Sequence, residues 1–105
     1  MNQPNFQQRV AAFVTEHHLE TDPSTRLLDL LSELGEAAKE ILKGSSYGKD
    51  NFSTTAQWEG ELADVFFSLV CLANSTGVDL EAALDMALEK YQARLESRGN
   101  AGSNR

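Results

Sequence analysis

Between residues 55 and 75 the chain reads as a helix that is apolar on nearly every side, through Leu62, Val65, Phe66, Phe67, Leu69, Val70 and Leu72. Such a helix belongs in the middle of a bundle or against another subunit, so the remaining segments are read as what surrounds it. They are helical too. Residues 4–19 place Phe6, Val10, Phe13, Val14 and His17 at helical spacing. A second segment opens at Asp22-Pro23, a capping acid before a proline suited to the first helical position. It carries Leu27, Leu28, Leu30, Leu31, Leu34, Ala38, Ile41 and Leu42, and is expected to stop at Lys43-Gly44. A fourth segment starts near Asp79 with an amphipathic stripe through Leu80, Ala83, Leu84, Ala87, Leu88, Tyr91 and Leu95. Residues 44–54 lack a helical period and read as a loop. The expectation is an all-α, four-helix-bundle-like domain over residues 1–98, followed by a flexible tail over 99–105.

Within the apolar third segment two acids stand out, Glu61 and Asp64, in the block Glu61-Leu-Ala-Asp64. The second segment holds a matching pair in Glu33-Leu-Gly-Glu36. Residues at i, i+3 project from one side of a helix, about one turn apart. Asp29, Glu33, Glu36 and Glu40 form one stripe bordering the apolar face, and Glu61 and Asp64 lie beside Val65 and Leu72. Acids so placed point along the seam between helices, where a metal site in a bundle is built. The second segment offers only Arg26 and Lys39 as bases before its last turn, too few to neutralise both pairs. A cluster of carboxylates is relieved by a hard divalent cation, and Mg²⁺ keeps waters that a substrate phosphate can displace. Ser68, Cys71 and Ser75 continue the same side of the third segment and leave room for a ligand.

Composition narrows the classes. A chain of 105 residues buries only about 60–68% of its unfolded surface, which makes oligomerisation expected. The net charge of −7 argues against a nucleic-acid polymer or an anionic membrane as partner. Cys71, in an apolar run, has no partner for an internal disulfide and reads as a small buried hydrophobe in a reducing compartment. No apolar stretch approaches the roughly 20 residues that span a bilayer, and the N-terminus lacks a basic start and an apolar signal segment. A cytoplasmic protein is expected.

Four blocks, Leu31-Ser-Glu-Leu-Gly-Glu-Ala-Ala-Lys-Glu40, Trp58-Glu-Gly-Glu-Leu-Ala-Asp-Val65, Gly77-Val-Asp-Leu-Glu-Ala-Ala83 and Lys90-Tyr-Gln-Ala-Arg94, occur in that order. Together they resemble the MazG-like nucleoside triphosphate pyrophosphohydrolases, whose pattern is Glu-Glu-x-x-Glu followed, after a variable loop, by Glu-x-x-Asp. The resemblance spans roughly residues 24–98. It implies protomers assembled as homodimers or as tetramers built from dimers. It also implies Mg²⁺-dependent hydrolysis (Mn²⁺ a possible substitute) of a nucleoside triphosphate between the α and β phosphates, in nucleotide-pool house-cleaning. Carried over by position, Glu33, Glu36, Glu61 and Asp64 are the metal ligands. Where the family has the first Glu of its tandem pair this chain has Ser32, which cannot serve as a carboxylate ligand or base. Two rival readings are a phosphoribosyl-ATP pyrophosphohydrolase-like enzyme and a non-catalytic helical oligomerisation module.

Phosphate chemistry then suggests roles for further residues. Glu36 or Glu40 is the candidate acceptor for the proton of an attacking water. Lys90 and Arg94, at i, i+4 on the fourth segment, are candidates for the outer phosphates, with Lys43 and Lys49 beside the loop as lesser ones. Trp58, Phe52 and Tyr47, in or next to the loop, are candidates for stacking on a nucleobase; core packing or a subunit contact accounts for them equally well.

Overall fold

The computed structural model of the protein describes residues 3–98. It contains helices α1 (Phe6–Glu16), α2 (Pro23–Gly44), α3 (Trp58–Ser75) and α4 (Leu80–Arg98), with no strand among the described residues. The expected tail, residues 99–105, lies outside the described residues, as do residues 1 and 2.

Each boundary has a local cause. Asn5 and Gln8 form a reciprocal capping box at the start of α1. Asp22 caps α2 by accepting from the Thr25 N–H, with Pro23 in the first helical turn. The ends of α1, α2 and α3 share one motif, in which the chain turns left-handed and two N–H groups reach back to the last turn. At α1 His18 (φ 56°) takes the left-handed position, and Leu19 N–H donates to the Val14 carbonyl at 2.9 Å. At α3 the same place is filled by Gly77 (φ 70°), with Val78 N–H on the Ala73 carbonyl at 2.9 Å. At α2 it is Ser46 (φ 51°), not Gly44, that turns the chain. Two expected boundaries shift inward. The first segment is shorter than 4–19 because Asn5 and His17 cap it. The third starts at Trp58 instead of residue 55, since the Thr55 side chain is held by Glu40.

α2 and α3 pack along each other and run antiparallel. Cys71, near the end of α3, lies in the field of Arg26 and Asp29 at the start of α2. Glu61, at the start of α3, faces Glu33, Glu36 and Glu40 farther along α2. Mostly small residues line the buried part of this seam: Ala37 on α2, and Ser68, Val70, Cys71 and Ala73 on α3. α1 crosses α3 through tilted aromatic pairs, Phe6–Phe66 at 5.1 Å and Phe13–Phe67 at 6.2 Å between ring centroids. His17 stacks on Phe13 at 4.5 Å.

A polar staple built on Gln7 joins α1 to the α3–α4 turn. Its Nε2 donates to Asn74 Oδ1 (3.0 Å) and to the Val78 carbonyl (2.8 Å). Its Oε1 accepts from Leu80 N–H (2.7 Å), and its backbone carbonyl accepts from Asn74 Nδ2 (3.1 Å). The first N–H of α4 is thus satisfied from α1, and α4 departs at 102° to α3.

This departure corrects the expected four-helix bundle: α4 does not close a bundle with the other three within one chain. Its stripe of Leu84, Leu88, Tyr91 and Leu95 stays exposed, as do Leu28 and Leu31 on α2 and Phe66 on α3. Val70 is the one large side chain that is fully buried among the described residues. The accessible surface is 7860 Å², where a compact monomer of this mass has about 5,800 Å². The radius of gyration is 17.1 Å, against about 13 Å for a compact domain of this length. Among the described residues no single helix is long and apolar enough to cross a membrane.

Replacing Gln7 by Ala removes three side-chain hydrogen bonds and strands Asn74 Oδ1 and the Leu80 N–H. Urea unfolding of Gln7→Ala is expected to show a loss of about 1–3 kcal/mol. A change within about 0.5 kcal/mol, typical of an inert surface position, would show that the staple does not hold α4.

Candidate metal centre

The antiparallel register of α2 and α3 brings the acid pairs together. Glu33, Glu61 and Asp64 each present a carboxylate oxygen within 4.8 Å of the others. Glu33 and Glu61 are half-buried and Asp64 is exposed. Of the other acids of the α2 stripe, Glu36 and Glu40 are paired. Lys39 Nζ lies 3.7 Å from Glu36 and Lys43 Nζ lies 3.8 Å from Glu40, each an i, i+3 contact within α2. The bases of α2 therefore neutralise Glu36 and Glu40 and leave the convergent trio without a cationic partner among the described residues. Loss of hydration pushes the Glu61 carboxyl above the ordinary glutamate range, and repulsion from Glu36, Asp64, Glu40 and Glu33 adds to it. Three oxygen donors that gather without a countercharge, one of them resisting ionisation, suit a hard divalent cation.

Glu40 is only 6% exposed. Thr55 Oγ1 donates to its Oε2 at 2.6 Å, so Glu40 ties the loop between α2 and α3 back onto α2. A second tie lies at Gly44, whose carbonyl accepts from Ser53 N–H at 2.9 Å. A Cβ on Gly44 would come within 2.5 Å of the Phe52 ring and of the Ser53 carbonyl, so this glycine serves the close approach of the loop, not the end of α2. Phe52 in turn meets Trp58 edge-on at 5.4 Å. Two of the candidate stacking rings are thus packed against each other, while Tyr47 is 71% exposed on the left-handed turn after Ser46. Lys90 and Arg94 flank the Tyr91 ring at 5.2 and 5.5 Å on α4, and neither pairs with an acid of the α2–α3 seam. Lys49 and Ser32 are exposed. Thr55 escaped the reading of the sequence, because nothing local marks a loop threonine as the partner of an acid fifteen residues earlier.

The sequence profile of the MazG nucleotide pyrophosphohydrolase domain matches residues 21–98, and the chain belongs to that family. It is similar to the uncharacterized protein YpjD of Bacillus subtilis (strain 168), at 38% identity over 79 residues, covering 72% of this chain and 69% of YpjD. The crystal structure of YpjD superposes with a TM-score of 0.71 at 32% identity, over 90% of this chain and 99% of that one. A Bacillus-conserved MazG protein, described as a nucleotide pyrophosphohydrolase, superposes with a TM-score of 0.69 at 29% identity, over 87% of this chain and 93% of that one.

The raised Glu61 value sets the sign of a pH effect. A carboxyl that holds its proton more tightly when folded stabilises the fold below the unfolded value of about 4.3, and that stability is lost as pH rises through the raised value. Asp22, lowered by its hydrogen bonds from Thr25, acts in the opposite sense at lower pH. In a chelator, the melting temperature of the parent chain relative to Glu61→Gln should therefore fall as pH rises from about 4 toward neutrality. Added Mg²⁺ at neutral pH should raise the parent but not the variant. Parallel pH profiles for the two proteins would contradict this account of the cluster.

Proposed function

We propose that this protein is a Mg²⁺-dependent nucleoside triphosphate pyrophosphohydrolase, with Mn²⁺ as an alternative ion. It would cleave between the α and β phosphates to release a nucleoside monophosphate and pyrophosphate, in the removal of unwanted nucleotides. The observation that carries the reading is the convergence of Glu33, Glu61 and Asp64 without a neutralising base among the described residues, in a chain of the MazG family. Glu36, one turn from Glu33 and bound only to an exposed lysine, supplies the fourth carboxylate. When bound, the ion neutralises the triphosphate and acidifies a coordinated water.

The remaining roles fall to the chain's own groups. Glu36 accepts the proton of the attacking water, since its ion pair with the exposed Lys39 can swing away. Glu40 acts at one remove, by holding the loop through Thr55. Lys43, exposed beside Glu40, reaches the outer phosphates. Lys90 and Arg94 serve the phosphates from a second copy, because α4 carries them away from the acids of its own chain. A homodimer or homotetramer is supported by the excess of accessible surface and by the uncovered stripes on α2, α3 and α4.

A pyrophosphate-release assay over nucleoside triphosphates with Mg²⁺ tests the chemistry. Metal assistance contributes several kcal/mol, so Glu61→Gln and Asp64→Asn should each lower kcat/KM by at least about 100-fold. Full activity in either variant would refute the ligand assignment. Light scattering on the eluted protein should give twice or four times the 11.5 kDa chain mass, and a monomer at micromolar concentration would refute the assembly.

A further inference from the structure

About two turns along α2 from the acid cluster, the same seam opens into a second site. A cavity of about 330 Å³ lies where α1, the α1–α2 link, the start of α2 and the end of α3 meet. Its walls include Thr15, Glu20, Thr21, Arg26, Cys71 and Asn74. Arg26 is half-buried, and its side chain makes one hydrogen bond among the described residues, from Nη2 to the Leu19 carbonyl at 2.6 Å. No carboxylate pairs with it, so most of its five donors stay free on a guanidinium oriented from behind. Glu20, in the same cavity, is exposed and free of hydrogen bonds and ion pairs among the described residues. Asn74 is held by both ends of its amide to Gln7 and forms a fixed wall.

We propose that this cavity is the subsite that reads the nucleobase, with Arg26 and Glu20 selecting guanine. The inference rests on the nucleotide chemistry proposed above and locates the base that such a substrate carries. Arg26 sits seven residues before Glu33, about 10 Å at 1.5 Å per residue, a span that fits a nucleotide lying along the α2–α3 seam with its phosphates at the acids. Arg26 and Cys71 line the cavity from α2 and α3, and Glu33 and Asp64 converge from the same two helices, so cavity and cluster lie along one seam. The Glu20 carboxylate in the same lining makes the cavity a poor home for phosphates. It suits a ring with an acceptor edge and a donor edge. Guanine offers O6 and N7 to a bidentate arginine, and its N1–H and exocyclic amine to a glutamate. Adenine lacks the paired acceptors. The rings of Phe52 and Trp58, by contrast, are already spent on each other.

The test measures kcat/KM for the guanine, adenine, cytosine and uracil triphosphates with Mg²⁺, on the parent chain and on Arg26→Gln, Arg26→Lys and Glu20→Gln. Thermal melts verify folding, and Glu20→Gln, at an exposed position, keeps the test alive if the Arg26 variants unfold. The parent is expected to favour guanine, and each variant should lower the guanine-over-adenine ratio at least about tenfold. Lysine should not rescue, because it keeps the charge but loses the fork. Rescue by lysine, an equal loss on all four substrates, or a parent without base preference would overturn the assignment. Calorimetric titration with guanosine and adenosine, which carry no phosphate, separates this inference from the hydrolytic reading. Tighter binding of guanosine, lost in Glu20→Gln, would support the subsite even if no triphosphate were cleaved. Absence of guanosine binding together with absence of base preference would overturn it.

Discussion

The register of α2 against α3 is the constraint on which the molecule depends. One antiparallel alignment sets Glu33 opposite Asp64 and Glu61, and the same alignment sets Arg26 and Asp29 opposite Cys71. A small slip along the seam would dissolve the acid cluster and move its charges under apolar walls, where an unpaired carboxylate is costly. Ala37, Ser68, Cys71 and Ala73 let the helices approach closely, and the ties at Glu40 and Gly44 hold the connecting loop against α2. The fold thus holds together a set of charges that repel one another.

What could be read from the residues divides along the range of the forces. Asp22 and Pro23 announce the start of α2 because capping is local chemistry, satisfied within one turn. The acid stripes are equally plain, since helical periodicity alone puts Glu33 near Glu36 and Glu61 near Asp64. Which acids stay unpaired was not legible. It depends on Lys39 and Lys43 choosing Glu36 and Glu40, a choice made by rotamers. Gly44 was legible as punctuation but not for its actual task, the approach of Phe52 and Ser53. The Thr55–Glu40 bond and the Arg26 cavity rest on tertiary juxtaposition, which no spacing encodes.

The fourth helix shows the same limit from the other side. Its apolar stripe is clear in the sequence, yet no element among the described residues covers it. Gln7 fixes the direction of α4 through polar contacts at its first residue, so its heading does not depend on burial of its own leucines. Local hydrogen bonding aims the helix, and Leu84, Leu88 and Leu95 stay exposed along it.

The loop after α2 is fastened back to that helix near its far end, by Thr55 on Glu40 and by Ser53 and Phe52 on Gly44, while residues 46–51 lie between α2 and these clasps and are exposed. Doubling the length of a flexible loop costs only about 0.6 kcal/mol of closure entropy. Residues 46–51 can therefore lengthen, shorten or change character without shifting the register of the helices that carry the acids. The acid cluster is anchored in the α2–α3 seam, and a separable surface segment remains open to variation, so descendants of this chain could acquire new contacts there while keeping the same charge cluster.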